Sequence, residues 1–180
     1  MQIKRICFPV NVLGPGKRVG IWLCGCRFNC PGCMSPELQD FAAGNKISVC
    51  DIINVIKRIP HKIDGFTISG GEPFEQAEEL GELVQALAQH FTDDIIVYSG
   101  YCYEELLKDE ACKNILENIA VLIDGRYIDE ENDGKGLKGS ANQKVIIFKN
   151  PERYSYMQEC ERKLQLLNYG DASSLVIGIL

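Results

Sequence analysis

Ile21-Trp22-Leu23-Cys24-Gly25-Cys26-Arg27-Phe28-Asn29-Cys30-Pro31-Gly32-Cys33 decides how this chain is organised. The apolar run 19–23 reads as a strand, and it empties into a loop where Cys26, Cys30 and Cys33 keep a C-x3-C-x2-C spacing. Thiolates grouped this tightly are soft ligands, suited to a zinc ion or an iron–sulfur cluster. Together with Cys24 they could close a tetrahedral zinc site, although Cys24 and Cys26 flank a single glycine where zinc pairs usually leave a longer gap. Counted as three, they would leave one iron of a 4Fe–4S cube without a protein ligand. That open position can bind and activate a small molecule.

Working outward from this loop, strand and helix patterns alternate. Residues 66–69, 95–98, 120–123, 145–148 and 174–179 read as further strands. Between them, a helix starting at Ser48 carries an apolar stripe of Ile52, Val55, Ile56 and Ile59 and stops at Pro60. Residues 75–91 hold Leu80, Leu83, Val84, Leu87 and Phe91 at helical spacing, which marks a core-facing stripe. Residues 103–118 predict one helix, and Asn150-Pro151 opens another that runs to 167. The acidic, glycine-rich stretch 124–142 reads as a loop. Such alternation predicts an α/β fold with a parallel sheet and right-handed crossovers, whose ligands gather at the carboxyl ends of the strands. The cysteine loop and segments 69–72, 99–101 and 124–126 all follow strands directly, so four segments converge on one rim.

A chain of 180 residues accommodates one domain, a core over about 13–150 with an extension over 151–180. No apolar run approaches bilayer-spanning length and the first residues lack a signal-peptide apolar region, so a membrane role is not expected. A formal charge of −6 disfavours nucleic acid, which wants a basic face. Nine cysteines, an odd count, argue against a disulfide framework and for a reducing, cytoplasmic compartment. The six cysteines outside the loop do not follow a ferredoxin pattern, so a single cluster is expected.

Ile68-Ser69-Gly70-Gly71-Glu72-Pro73-Phe74 lies about forty residues beyond the cysteine loop. The pair of motifs resembles the radical S-adenosylmethionine (SAM) superfamily, where the glycine pair and glutamate lie against the methionine part of SAM. Leu13-Gly14-Pro15-Gly16-Lys17-Arg18 is similar to the entry segment of glycyl-radical-enzyme activases. Tyr98-Ser99-Gly100-Tyr101, Leu122-Ile123-Asp124-Gly125-Arg126-Tyr127 and Lys138-Gly139-Ser140-Ala141-Asn142-Gln143 resemble, in order, segments of activating proteins for anaerobic ribonucleotide reductase. The likeness spans about 13–147. It departs at Met34, where the family usually has tyrosine, at Cys24, and at Lys138, which keeps the charge of the usual arginine but not its fork.

The resemblance implies a partial (βα) barrel of about five to six parallel strands. It implies a 4Fe–4S cluster on Cys26, Cys30 and Cys33 and SAM held by Gly70, Gly71 and Glu72. Ser99, Asp124 and Asn142 are weaker candidates for SAM contacts, since each residue type also favours turns and caps. One electron, from a donor such as flavodoxin or ferredoxin, would cleave SAM to methionine and a 5′-deoxyadenosyl radical. That radical would take hydrogen from a glycine of a partner glycyl radical enzyme such as anaerobic ribonucleotide reductase. Two alternatives stay open: a free-standing radical SAM enzyme acting on a peptide or small metabolite, and a non-catalytic zinc module on Cys24, Cys26, Cys30 and Cys33.

Overall fold

The computed structural model describes residues 1–169 and 173–180. In chain order the strands are β1 (Gln2–Val10), β2 (Arg18–Leu23), β3 (Asn45–Lys46), β4 (Gly65–Gly70), β5 (Ile95–Tyr98), β6 (Val121–Asp124), β7 (Lys144–Ile147), β8 (Gln165–Tyr169) and β9 (Ser173–Ile177). The helices are α1 (Val49–Ile56), α2 (Ala77–His90), α3 (Tyr103–Leu106), α4 (Glu110–Asn118) and α5 (Pro151–Tyr154). Seven strands form one sheet in the order β3-β1-β2-β4-β5-β6-β7.

Four strands at its centre, β2, β4, β5 and β6, run parallel, each joined to the next through helix. The flanks reverse. β1, which the sequence reading left unassigned, pairs antiparallel with β2, and β7 pairs antiparallel with β6. The expectation that 145–148 extends the parallel set is therefore corrected. A parallel pair needs a crossover element to carry the chain back, and the β6–β7 connection contains only a short 3-10 turn at Asp129–Glu131.

The alternation of strand side chains builds two cores. On one face Ile21, Phe66, Ile68, Val97 and Leu122 pack with Leu80, Leu83, Val84 and Leu87 of α2 and with residues of α1 and α4. On the other, Ile96, Val121 and Ile123 pack with Tyr154, Met157, Ile177 and Ile179 of the C-terminal extension. The α2 stripe is as expected. In α1, capped by Ser48 Oγ accepting from the Asp51 N–H at 3.1 Å, Ile53 is buried, Val55 is exposed and Ile59 lies beyond the helix end at Ile56, a shift of the predicted stripe.

Two predicted helices are shorter in the structure. Residues 103–118 split into α3 and α4 because Asp109 turns the chain and caps a new helix, its Oδ1 accepting from Cys112 N–H at 3.1 Å. The helix expected over 150–167 stops as α5 and a 3-10 turn at Ser155–Gln158. Beyond Met157 the chain is charged at Glu159, Glu161, Arg162 and Lys163. Exposure then alternates, with Leu164 and Leu166 outward and Gln165 and Leu167 half-buried. That period of two belongs to a strand. β8 and β9 form a separate antiparallel pair, so the expected sixth strand does not join the main sheet. Residues 170–172 of the extension lie outside the described residues.

Arg18 ties the entry loop to this frame. Fully buried, it donates from Nε to Thr67 Oγ1 at 2.8 Å and from Nη1 to Asp94 Oδ1 at 2.7 Å, with further bonds to backbone oxygens of Pro15, Phe66 and Asp94.

Candidate functional site

The β2–β4 pairing continues past the strand ends and brings the two motifs side by side. Leu23 pairs with Gly70, then the Gly71 N–H donates to Leu23 O at 2.9 Å and the Glu72 N–H to Gly25 O at 2.7 Å. On its other edge the cysteine loop is bonded to the segment around Leu38, through Gly25 N–H to Leu38 O and Cys26 N–H to Gln39 O, both 2.9 Å. Backbones this close leave no room for side chains. A Cβ on Gly70, which has φ +120°, would strike the backbone of Leu23, and one on Gly71 would strike Gly25 O. The glycine pair is thus a steric requirement of laying the cysteine loop along the strand end.

Cys26, Cys30 and Cys33, all half-buried, line a cavity of about 150 Å³ together with Ser69, Gly70, Gly71, Glu72, Ser99 and Gly100. Burial pushes the Cys26 thiol pKa up, reinforced by Glu72, Cys30 and Cys33. Three soft donors lining one cavity fit an iron–sulfur cluster. Cys24 does not join them. It is fully buried and not among the lining residues, and its Sγ lies against Gly44, where an added Cβ would sit 3.0 Å away. Among the described residues, no three His, Cys, Asp or Glu side chains close on a single metal ion.

Glu72 is the centre of the polar side of this cavity. It is 1% exposed. Its Oε1 accepts from the Phe74 N–H and from Ser99 Oγ, both at 3.0 Å, and Oε2 accepts from the Gly100 N–H at 2.6 Å. Burial pushes its pKa up to about 7, against the lowering effect of those three donors.

The remaining predicted residues divide. Ser99 lines the cavity, but its hydroxyl is engaged: it donates to Glu72 and accepts from the Tyr101 N–H at 3.0 Å. Asp124 is buried and not among the lining residues. Its Oδ2 accepts from the Tyr103 N–H at 2.7 Å, which fastens the start of α3, and Oδ1 accepts from Lys144 N–H of β7. Asn142 is exposed and bridges loops, donating to Arg126 O at 2.8 Å and accepting from Ser140 Oγ at 2.7 Å. Its neighbour Gln143, not singled out from sequence, lines the cavity and bonds Gly125 O, Gly139 N–H and Ser140 N–H. Phe28, Tyr98 and Tyr127 also line it. Aromatic residues in strand ends and loops carry no periodic signal that separates lining from core.

A second, larger space of about 370 Å³ adjoins the first, sharing Met34, Ser35, Ser69, Tyr98, Tyr127 and Gln143. Trp22 of β2 is half-buried, packs against the second core and lines this chamber too. Residues 175–180 form one of its walls. Arg162 fixes that wall, donating from Nη1 to Leu180 O and to Asn132 Oδ1, and from Nη2 to Lys138 O, each at 2.7 Å.

Parallel strands delivering three thiolates to one cavity at their carboxyl ends define an α/β iron–sulfur protein. The model of the 4Fe–4S single cluster domain matches residues 12–146. Among curated relatives, an anaerobic ribonucleoside-triphosphate reductase-activating protein from Haemophilus influenzae is 36% identical over 150 residues, covering 79% of this chain and 96% of the relative. The protein of the same name from Escherichia coli K12 is 31% identical over 146 residues, 77% of this chain and 94% of the relative. That of Enterobacteria phage T4 is 29% identical over 150 residues, 81% and 93%. The chain belongs to the family of 4Fe–4S anaerobic ribonucleoside-triphosphate reductase-activating proteins. No described helix is long and apolar enough to cross a membrane.

Proposed function

We propose that this chain is a radical SAM activase that acts in the cytoplasm on a glycine of a partner protein such as anaerobic ribonucleotide reductase. The observation carrying this reading is the convergence of Cys26, Cys30 and Cys33 with Gly70, Gly71 and Glu72 on one cavity. The three thiolates would hold the 4Fe–4S cluster, and the backbone of Gly70 and Gly71 would face the methionine end of SAM. Glu72 Oε2 accepts one hydrogen bond, from Gly100, and a carboxylate oxygen accepts two, so an acceptor remains for the SAM amino group. When bound, the cluster supplies one electron to SAM, and the cleaved nucleotide supplies the species that removes hydrogen from glycine. A flavodoxin or ferredoxin would deliver that electron. The names of the relatives support the choice of partner. Curling of the sheet into a partial barrel belongs to the same proposal.

A second reading, a free-standing enzyme on a small metabolite or peptide, is favoured by the adjoining chamber, whose size falls in the range of small-molecule sites. One experiment separates the two. Protein reconstituted anaerobically with iron and sulfide is supplied with SAM and a reductant, and 5′-deoxyadenosine is measured. Activation reading: a glycyl signal in the added reductase accompanies deoxyadenosine, and Cys30→Ala abolishes both with the fold intact. Turnover driven by a metabolite, with no glycyl signal in the reductase, selects the second reading.

A further inference from the structure

Between Cys26 and Cys30, Phe28 is gripped from two sides. The Arg126 guanidinium carbon lies 4.5 Å from the centroid of its ring, and the Tyr101 ring meets it edge-on with centroids 4.7 Å apart. The grip is extended at each end. Asn142 donates to the Arg126 carbonyl, while the Tyr101 hydroxyl donates to Glu75 Oε1 at 3.2 Å. Glu75 Oε2 in turn pairs with Arg27 Nη1, the residue before Phe28, at 3.3 Å. Beneath the ring lies Gly100, where an added Cβ would sit 2.6 Å from Phe28 and 3.4 Å from Glu72 Oε2. Gly100 is also the N–H donor to that oxygen. Phe28 and the buried Glu72 carboxylate therefore both lie beside Gly100.

We propose that Phe28, clamped between Arg126 and Tyr101, is the positioning residue that holds the cysteine loop on the rim in ligand-binding register before any cluster is bound. The geometry is favourable for both contacts. A cation over an aromatic face and an edge-to-face ring pair each stabilise by an amount that matters to a short loop. The loop has no regular secondary structure of its own between residues 24 and 34. Without the clamp its three thiols would be set by the backbone bonds near Gly25 and Cys26, by the Cys33 N–H to Cys30 O bond at 3.2 Å and by the contacts of Arg27 with Glu75 and Phe41. The inference rests on the proposed function only in taking this loop as the cluster carrier.

The test uses the full chain without cluster, under anaerobic reducing conditions. N-ethylmaleimide alkylation is followed site by site by peptide mass spectrometry. In Phe28→Ala and Arg126→Ala the rates at Cys26, Cys30 and Cys33 rise about tenfold, the effect of losing one such contact. Rates at exposed Cys50 and Cys102 and at buried Cys112 stay at wild-type values. Phe28→Tyr keeps the wild-type rates, and Arg126→Lys, which keeps a cation over the ring, stays closer to wild type than Arg126→Ala. Unchanged rates at the three loop cysteines in Phe28→Ala would overturn the clamp, as would an equal rise at Cys112, which reports general loosening. Because no cluster or SAM is present, the clamp pattern in a protein that never cleaves SAM would support the clamp while sinking the activase reading.

Discussion

Ser99 Oγ donates to Glu72 Oε1 at 3.0 Å, so the turns after β5 and β4 are joined through one buried carboxylate. The sequence places these residues far apart, each after its own strand. Their bond makes the rim one unit. Ser99→Ala removes a donor to a buried acceptor and should cost about 1–3 kcal/mol of stability, read as a lower urea midpoint with unchanged slope.

The Glu72 carboxyl gives the stability a distinctive pH dependence. Its folded pKa of about 7 lies above its ordinary value of 4.5. The folded state therefore holds the proton more tightly than the unfolded chain. This contribution is fully present below about pH 4.5 and is lost as pH rises towards 7, by up to about 1.4 kcal/mol per pH unit. Urea titrations of cluster-free protein across that window should show the fall, and Glu72→Gln should flatten it. A parallel slope in Glu72→Gln would contradict the assignment.

Two glycines should respond oppositely to alanine. At Gly71 the new Cβ meets the carbonyl oxygens of Gly25 and Leu38, so Gly71→Ala should displace the cysteine loop and cost about 1–3 kcal/mol. Gly81 lies inside α2, where a Cβ would meet only Ile115 Cγ1 at 3.6 Å. Gly81→Ala should stabilise by roughly 0.5–1 kcal/mol. Thermal or urea unfolding of both variants checks the pair.

Cys24 and Cys30 should separate metal binding from packing. Cys30→Ala should lose bound iron after reconstitution and keep its fold. Cys24→Ala, with its sulfur against Gly44, should keep the wild-type iron content and lose about 1 kcal/mol of stability. Loss of metal from Cys24→Ala would revive a four-cysteine zinc site.

Arg18→Met should be among the most damaging substitutions outside the site. It removes one of two cations on Asp94, leaving Arg153 Nη2 at 2.8 Å, and leaves the Phe66 and Thr67 acceptors unfilled. A loss of about 2–4 kcal/mol, from the unfilled buried acceptors, is expected from chemical denaturation.

The parts of the fold carried by periodicity were legible: the four parallel strands and the α2 stripe announce themselves by spacing. Strand direction at the edges was not, because it depends on what the connecting loop contains rather than on the strand's own residues. β1 carries no clear strand signal because Lys4, Arg5 and Pro9 interrupt its apolar pattern. At the site, residue types with unusual chemistry, the cysteines and the glycine pair beside a glutamate, could be read directly. Asp124 could not be distinguished from a ligand, since a carboxylate that caps a helix and one that faces a cofactor look alike until its two N–H partners are seen. Phe28 was hidden for the opposite reason: its value comes from Arg126, about a hundred residues away, and no local pattern records that meeting.

The family match ends at residue 146, and the wall made by 175–180 lies wholly outside it. One wall of the chamber thus comes from beyond the family match, while Trp22, Ser69, Tyr98 and Gln143 of the same lining lie within it. Under the proposed function, changes at Leu175, Ile177 or Ile179 would reshape the space beside the cysteine loop while leaving Cys26, Cys30 and Cys33 as they are.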